Sequence, residues 1–476
     1  MAAESRRLFI GPRLRRIRRE LGLTQAQMAA DMEVSASYIT LIERNQRPLP
    51  ADLLLRLAET YALDLSVFSS GEDETFAQLE AALADPIFQE LSVGREDVRD
   101  LLSANPAMGE AVAALYQSYR ASQSAVMEAR AAGGSSPADP LEEAREFIAA
   151  ARNYFPALDE AGEETARALS IAGGSGPFPG GLMEALRERF KKRHALTLRI
   201  LPADIMVGAY RRHDRHRAQI AISEALDQAS RVFQAVLQLI LLEQGKALDD
   251  TVNAAPFDSD AGRRLARAAL ANYAAGAVIF PYERFHASLG DLKYDIEALS
   301  RRFGASFEQV CHRLTTMQRP GKEGVPFFFL RIDAAGNVSK RFSAGVFPFA
   351  RYGGSCPLWN IHETFRTPHK IISQTVQLPD GETYFSLART VHGGEAGFGA
   401  PKAERAVALG CEIKHARQLI YSQGLDFETA APTPIGVTCR LCPRPGCAAR
   451  AHPPLERRLI IDEHRRMATP FSFAFD

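Results

Sequence analysis

The sequence contains no apolar run near the roughly 18 residues that a membrane-spanning helix needs, and no amino-terminal apolar core followed by a small-residue cleavage site. These absences exclude a helical membrane protein and a secreted one, and they place the chain in the cytoplasm with no membrane partner. Net charge is absent as well, with 57 basic residues against 57 acidic ones. That balance conceals local asymmetry, and function begins to show where one sign gathers. Cysteine is scarce: six in 476 residues, five of them in the last third. Among reduced cytoplasmic thiols, such a cluster binds metal more often than it forms structural disulfides. What remains is an ordinary globular composition, 46% hydrophobic and 24% charged, in a chain long enough for about three or four domains.

The first concentration of charge is RRLFIGPRLRRIRRE, residues 6 to 20, with seven arginines and one acid. Such a run attracts phosphate whatever the base sequence, because neutralising the backbone releases counterions; a solvated helix face would carry the same residues. LGLTQAQMAADMEVSASYITLIERNQRPLP follows. Thr24 reads as an N-cap with Gln27 as its capping-box partner, which predicts a helix from Gln25 to about Met32. Glu33 and Val34 form a tight connection without glycine, and Ser35 caps a second helix ending near Arg44. Met28, Ala29, Val34, Ile39 and Ile42 have the spacing that packs two short helices across each other, with Leu54, Leu57, Ala58 and Tyr61 on a supporting helix. The stretches LGLTQAQMA and SASYITLIERNQRP resemble the repressor-type helix-turn-helix of phage repressors and the bacterial XRE family. The resemblance implies that Gln25 touches phosphate, that Arg18 pairs with Glu43, and that Ser35, Ala36, Ser37, Tyr38, Thr40 and Arg44 form the DNA-facing edge. Binding to a double-stranded operator as a homodimer or higher oligomer follows, because one such module buries little surface.

From Glu72 to Arg130 alanine-rich helices are expected, with Val112, Leu115, Tyr116 and Tyr119 at helical spacing. That stripe pairs with another subunit or packs on the chain's own next domain. AAGGSSPADP, residues 131 to 140, is a flexible break. Beyond it, TLRILPADI and AQIAISEAL read as strands around the basic stretch YRRHDRHRAQ, followed by the apolar helix SRVFQAVLQLILLEQG. ANYAAGAVIFPYERF and IEALSRRFGASFEQVCHRL resemble the ImmA/IrrE-type domain, a zincin-like fold often fused to such DNA-binding modules. Its peptidase members carry HExxH on the helix that corresponds to residues 231 to 243, two imidazoles holding Zn²⁺ and a glutamate acting as base. Here the matching positions are Leu237, Gln238 and Leu241, so the domain is degenerate and proteolysis is lost. IHETFRTPH, residues 361 to 369, begins like that motif but has Arg366 where the second histidine belongs. ALSRRFGASFEQVCHRL also has a helix-turn-helix rhythm, with Gly304 at the turn. A domain with an apolar interior and no catalytic metal suits a small-molecule receptor. Arg199, Arg211, Arg212, Arg215 and Arg217, with His213 and His216, are its candidate rim for a ligand bearing several phosphates, or else a solvated face.

Residues 333 to 476 are richer in strand-like runs: GNVSKRFSAG, HKIISQTVQL and TYFSLARTV. After the N-terminal module and the degenerate domain come GGSCPLWNIHE, LGCEIKHA and CRLCPRPGCAARAHPPL. Together they resemble the short-chain fatty acyl transcriptional regulator family over almost the whole chain. The resemblance implies a multidomain α+β protein that is not an enzyme. Its parts are an all-α helix-turn-helix domain (1–71), a helical linker (72–140), a degenerate zincin-like ImmA/IrrE domain (141–332) and an α+β C-terminal domain with a cysteine cluster (333–476). It implies a regulator of short-chain acyl-CoA genes, for propionate or acetate metabolism, with an acyl-CoA as effector. The phosphates of coenzyme A give the central arginines a task, and Tyr273 becomes a candidate for the acyl or adenine side.

The spacing CxxCxxxxC at Cys439, Cys442 and Cys447 brings three thiolates close enough for one tetrahedral ion or one cluster, with Pro443, Pro445 and Gly446 bending the chain. A fourth ligand comes from Cys411, Cys356 or His452, and the occupant is an iron–sulfur cluster, zinc or nothing. Cys311, beside His312 on a predicted helix, reads as a core cysteine. Against the regulator stands a second class, a metal-dependent peptidase of the ImmA/IrrE type acting on a repressor. Leu237 and Leu241 argue directly against it.

Overall fold

The computed structural model describes residues 11 to 473 except 45, 62–71, 84, 86–87, 89–92, 132–138, 173–178, 346, 350–353, 394–403, 428 and 463. Arg6 and Arg7 of the basic run, the expected domain edge at residue 71 and most of the break at 131–140 lie outside the described residues. The chain divides into two compact units, Met1–Val126 and Met127–Asp476.

In the first unit α1 (Gly11–Glu20), α2 (Gln25–Asp31), α3 (Ala36–Glu43) and α4 (Ala51–Thr60) close around Leu14, Ile17, Met28, Met32, Ile39, Ile42, Leu53 and Leu57. Thr24 and Gln27 form the reciprocal capping box, and the Ser35 side chain accepts from the Tyr38 N–H. Both satisfy donors that a helix start otherwise leaves orphaned. Glu33 sits at φ 54°, the left-handed conformation that usually selects glycine. Next come α5 (Glu72–Leu83), α6 (Arg95–Ala104) and α7 (Pro106–Ala131), around a small core of Leu79, Val98, Leu102 and Ala113. Gly109 permits the close approach of α7, since a Cβ there would fall 2.3 Å from Leu102 Cδ2. Met108, Leu115 and Tyr119 of α7 are exposed, Leu115 by 70%.

The second unit begins with α8 (Pro140–Ala150), α9 (Pro156–Ala172) and α10 (Pro179–His194). β1 (Thr197–Leu201), α11 (Ala203–Met206), β2 (Arg211–Asp214) and β3 (Gln219–Ser223) then give a sheet of order β1-β3-β2. α12 (Gln228–Glu243), α13 (Gly245–Asn253), α14 (Asp260–Ile279), α15 (Tyr282–Leu292), α16 (Ile296–Phe303) and α17 (Phe307–Leu314) follow. Asp227, Ser259, Asp295 and Ser306 cap four of these starts, as short oxygen-bearing side chains do.

A six-stranded sheet closes the unit: β4 (Phe328–Asp333), β5 (Val338–Ser343), β6 (Ile372–Gln377), β7 (Thr383–His392), β8 (Glu404–Glu412) and β9 (Thr433–Pro434), in the order β5-β4-β8-β7-β6-β9. All pairings are antiparallel except β6 with β9. β10 (Leu459–Ile460) and β11 (Ser472–Phe473) make a separate pair. Side chains alternate across a strand. β8 therefore sends Val407, Leu409 and Cys411 into a core shared with the helices, and Ala406 and Ala408 into a second core with Phe328, Trp359 and Cys356. The division expected near residue 332 does not separate two interiors: Leu270, Phe285, Phe329 and Leu409 lie in one cluster. A sheet buried on both faces needs the helices as cover. Among the described residues no helix is long and apolar enough to cross a membrane.

Candidate DNA-binding edge, ligand cavity and cysteine loop

Ser35, Ala36 and Ser37 are exposed where α3 begins, Tyr38 and Thr40 are half-buried, and Arg44 is exposed just past its end. Beneath this edge Glu43 is 2% exposed. Arg18 Nε donates to its Oε1 at 2.6 Å and Arg18 Nη2 to its Oε2 at 3.2 Å, while Gln25 Nε2 donates to Oε2 at 2.7 Å. Burial alone would raise the Glu43 carboxyl. The Arg18 and Gln25 hydrogen bonds and the charges of Arg18 and Arg15 outweigh it and hold the pKa below the usual carboxylate value. Thr40 Oγ1 in turn donates to Gln25 Oε1 at 3.3 Å. Gln25, read from the sequence as a phosphate contact, is thus also the strut between α2 and α3, a role that spacing alone did not reveal.

The second unit encloses a cavity of about 740 Å³. One wall is apolar, with Ile148, Phe155, Phe233, Leu265, Leu270 and Phe280 from the helices; another is basic, with Arg331, Lys340, Arg389 and Arg405 from four strands. One face of α17 and the turn after it runs along the cavity as Glu308, Gln309, His312, Arg313 and Thr316. Glu308 Oε1 accepts from Arg331 Nη1 at 2.7 Å and from Lys340 Nζ at 3.1 Å. Burial pushes its carboxyl up, but the charges of Lys340 and Arg331 outweigh it and leave the pKa lowered. His312 is enclosed, its ring edge-on to Phe342 at 4.5 Å. Burial first, and then the charge of Lys340, push its pKa down to about 3, so the imidazole is neutral at pH 7. At the rim His369 Nε2 and His392 Nε2 lie 2.8 Å apart. Arg313, 3% exposed, pairs with Asp159 at 2.8 Å.

Tyr273 lines the cavity, and its hydroxyl accepts from the Phe155 N–H at 3.2 Å. Burial, then the charge of Asp159, raises its phenol pKa. Arg199, Arg211, Arg212, Arg215 and Arg217 are not among the cavity residues. Arg199 lies on β1, and the others on β2 and its turn, where Arg212, Arg215 and Arg217 are exposed and Arg211 donates to Gln234 O at 3.4 Å. Leu237 and Gln238 are buried in α12, and Leu241 packs on the same core. The cavity-facing residues of that helix, Ser230, Phe233 and Gln234, include no metal ligand either. α17 buries Phe307, Val310, Cys311 and Leu314, so the helix-turn-helix rhythm of its segment belongs to a cavity wall.

Cys356 lies beside the loop that carries Cys439, Cys442 and Cys447. Burial raises its thiol pKa, the N–H groups of Gly436 and Leu358 donate toward its sulfur and oppose the rise, and Cys439 and Cys442 add to it. The Ala451 N–H donates to Cys439 Sγ at 3.4 Å. A Cβ on Gly436 would fall 2.7 Å from Cys442 Sγ, so glycine lets the chain close over that thiol. Cys411 is a correction to the expected ligand set: it points into the helix-side core, across the sheet from Cys356, and burial pushes its pKa up to about 12. Among the described residues no three His, Cys, Asp or Glu side chains gather as a metal site.

Residues 316–471 match the model of the short-chain fatty acyl coenzyme A regulator C-terminal domain, residues 191–315 the IrrE N-terminal-like domain, and residues 10–68 a helix-turn-helix domain. The HTH-type transcriptional regulator RamB of Mycobacterium tuberculosis is 38% identical over 473 residues, covering 97% of this chain and 98% of that protein. The chain belongs to the short-chain fatty acyl-CoA regulator family. A second relative of this regulator, the propionyl-CoA carboxylase regulator of Cereibacter sphaeroides, is also 38% identical, over 98% of this chain and 99% of its own. A solved structure of a Mycobacterium tuberculosis transcriptional regulator superposes with a TM-score of 0.65 at 39% identity, over 70% of this chain and 99% of that one. Like these relatives, the regulator is a DNA-binding transcription factor and not an enzyme.

Proposed function

We propose that this regulator grips an operator through α2 and α3, and that a short-chain acyl-CoA in the cavity sets its affinity for that operator. The two-sided cavity carries the reading. Its apolar wall suits an acyl chain, and Arg331, Lys340, Arg389 and Arg405 suit the pyrophosphate and 3′-phosphate of coenzyme A. These four take the phosphates in place of Arg199, Arg211, Arg212, Arg215 and Arg217, while Tyr273 keeps its candidacy for the acyl side. Glu308 engages two of the cations. An anionic ligand competes with it, exchanging an internal ion pair for an external one and biasing the position of α17. The name of the Cereibacter relative supports propionyl-CoA metabolism as the setting.

Ser35, Ala36, Ser37 and Tyr38 are the candidate base readers, with Gln25, Thr40 and Arg44 toward the phosphates. A second copy docks on the exposed face of α7, placing two modules on two half-sites in the cytoplasm. Cys439, Cys442 and Cys447, joined by Cys356, are the ligand set for an iron–sulfur cluster or zinc. The N–H groups aimed at Cys356 and Cys439 are the kind that stabilise coordinated thiolate. A bound group of this type ties the loop to the sheet or responds to oxidant.

Calorimetry with propionyl-CoA tests the effector reading. The full chain is expected to bind, and Arg331→Gln with Lys340→Met to weaken binding by about tenfold or more, the worth of charge-assisted hydrogen bonds. No binding of any short acyl-CoA removes the proposal.

A further inference from the structure

Arg450 is 4% exposed, and among the described residues no carboxylate pairs with it. Its guanidinium donates to the carbonyl oxygens of Cys439 at 2.8 Å, Cys442 at 2.9 Å, Arg444 at 2.9 Å and His452 at 3.2 Å. The Phe473 ring centre lies 5.0 Å away, and Nε has no acceptor. Four carbonyls and a ring supply partial charges only. A buried charge is ordinarily paired, and arginine cannot escape the cost by losing its proton. The groups at hand that become anions are thiols: two of the four carbonyls belong to Cys439 and Cys442, and Cys356 is beside them.

We infer that Arg450 is the positioning residue of the cysteine loop, fixing the backbone that carries Cys439 and Cys442 and supplying the counter-charge to their thiolate form. The inference rests on reading the loop as a thiolate site. Three thiolates around a divalent ion leave one net negative charge, which one buried guanidinium offsets; four leave two. Arg444, on the same loop, also donates to carbonyls, those of Ile435, Gln377 and Leu378 at 3.1, 2.8 and 2.7 Å. Only the planar fork of arginine reaches several carbonyls at once while keeping its charge. The loop is therefore held by its own arginines before any ion arrives, a preformed site rather than one that folds around its metal.

The test uses the full chain, purified without oxygen, stripped of metal and titrated with Co²⁺ in a competing chelator, reading the thiolate-to-cobalt charge-transfer absorbance. Arg450→Met is expected to weaken Co²⁺ binding about tenfold or more, as loss of a supporting group around a metal does. Arg450→Lys, which keeps the charge but loses the fork, is expected to recover a clear part of that loss. Wild-type affinity in Arg450→Met overturns the inference, and so does an Arg450→Lys affinity no better than that of Arg450→Met, which a purely structural role would give. Should Arg450→Met not fold, Arg450→Gln replaces it under the same expectations. Cys442→Ser tests the underlying reading separately: unchanged absorbance and affinity there would mean that the thiols are not the site.

Discussion

Replacing Glu43 by glutamine removes one charge from the cluster under the DNA-facing helices while keeping its volume. The Glu43 side chain is 0% exposed and that of Arg18 13%, so the change strands a largely buried guanidinium. Breaking a buried pair from one side costs about 3–5 kcal/mol. Arg15, 43% exposed and 3.7 Å away, adds little. The remaining exposure of Arg18 and the hydrogen bonds that a glutamine amide keeps bring the expected loss to roughly 2–3 kcal/mol. At about 3–5 °C per kcal/mol for a unit of this size, the first unit's unfolding midpoint should fall by about 6–15 °C. Scanning calorimetry of the full chain reads it directly. The pH dependence has a definite sign. The native Glu43 pKa is lowered, so its contribution is complete above the unfolded value of about 4.3 and is lost as pH falls through the native value. Wild type and Glu43→Gln should therefore converge in acid. A midpoint change below about 2 °C at pH 7, or a gap that widens on acidification, would refute the reasoning.

His312 gives the opposite kind of residue, a base kept neutral by burial. Its native pKa is about 3 against about 6.5 unfolded, so stability should fall by roughly 1.4 kcal/mol per unit as pH drops below 6.5. His312→Phe should flatten that slope; urea midpoints at pH 7 and pH 5 that change equally in both proteins would contradict it. On α7, Leu115→Glu should leave the monomer within about 0.5 kcal/mol of wild type, as for other exposed positions, and dissociate the homodimer in sedimentation. A dimer that persists would clear this face of that role.

The DNA-binding edge was legible in the sequence because its determinants are local. Thr24 with Gln27, Ser35 with Tyr38 and Arg18 with Glu43 all fall within one short stretch, and caps and apolar spacing specify it without distant contacts. Strands such as TLRIL, QIAIS and TYFSLARTVH were readable from their own runs. The cavity's basic wall was not, because Arg331, Lys340, Arg389 and Arg405 meet only through the pairing of β4 with β5 and β8, and of β7 with β8. The dense local charge of YRRHDRHRAQ instead marked a solvated strand and turn. Cys411 and Cys356 illustrate the same limit. Both are buried thiols in strand-rich sequence, yet the alternation along β8 sends Cys411 to the helix-side core and leaves Cys356 beside the loop. Register decides the side, and register is a non-local property.

The central claim is that ligand in the cavity controls the grip of α3 on DNA. The most direct measurement is the operator affinity of the full chain with and without saturating propionyl-CoA, for wild type and for Arg331→Gln with Lys340→Met. The account predicts a shift of at least about fivefold in wild type, within the usual range of coupling between sites. It predicts a much smaller shift in the variant at the same ligand concentration, with ligand-free affinities equal. No shift in wild type, or an equal shift in both, would contradict it.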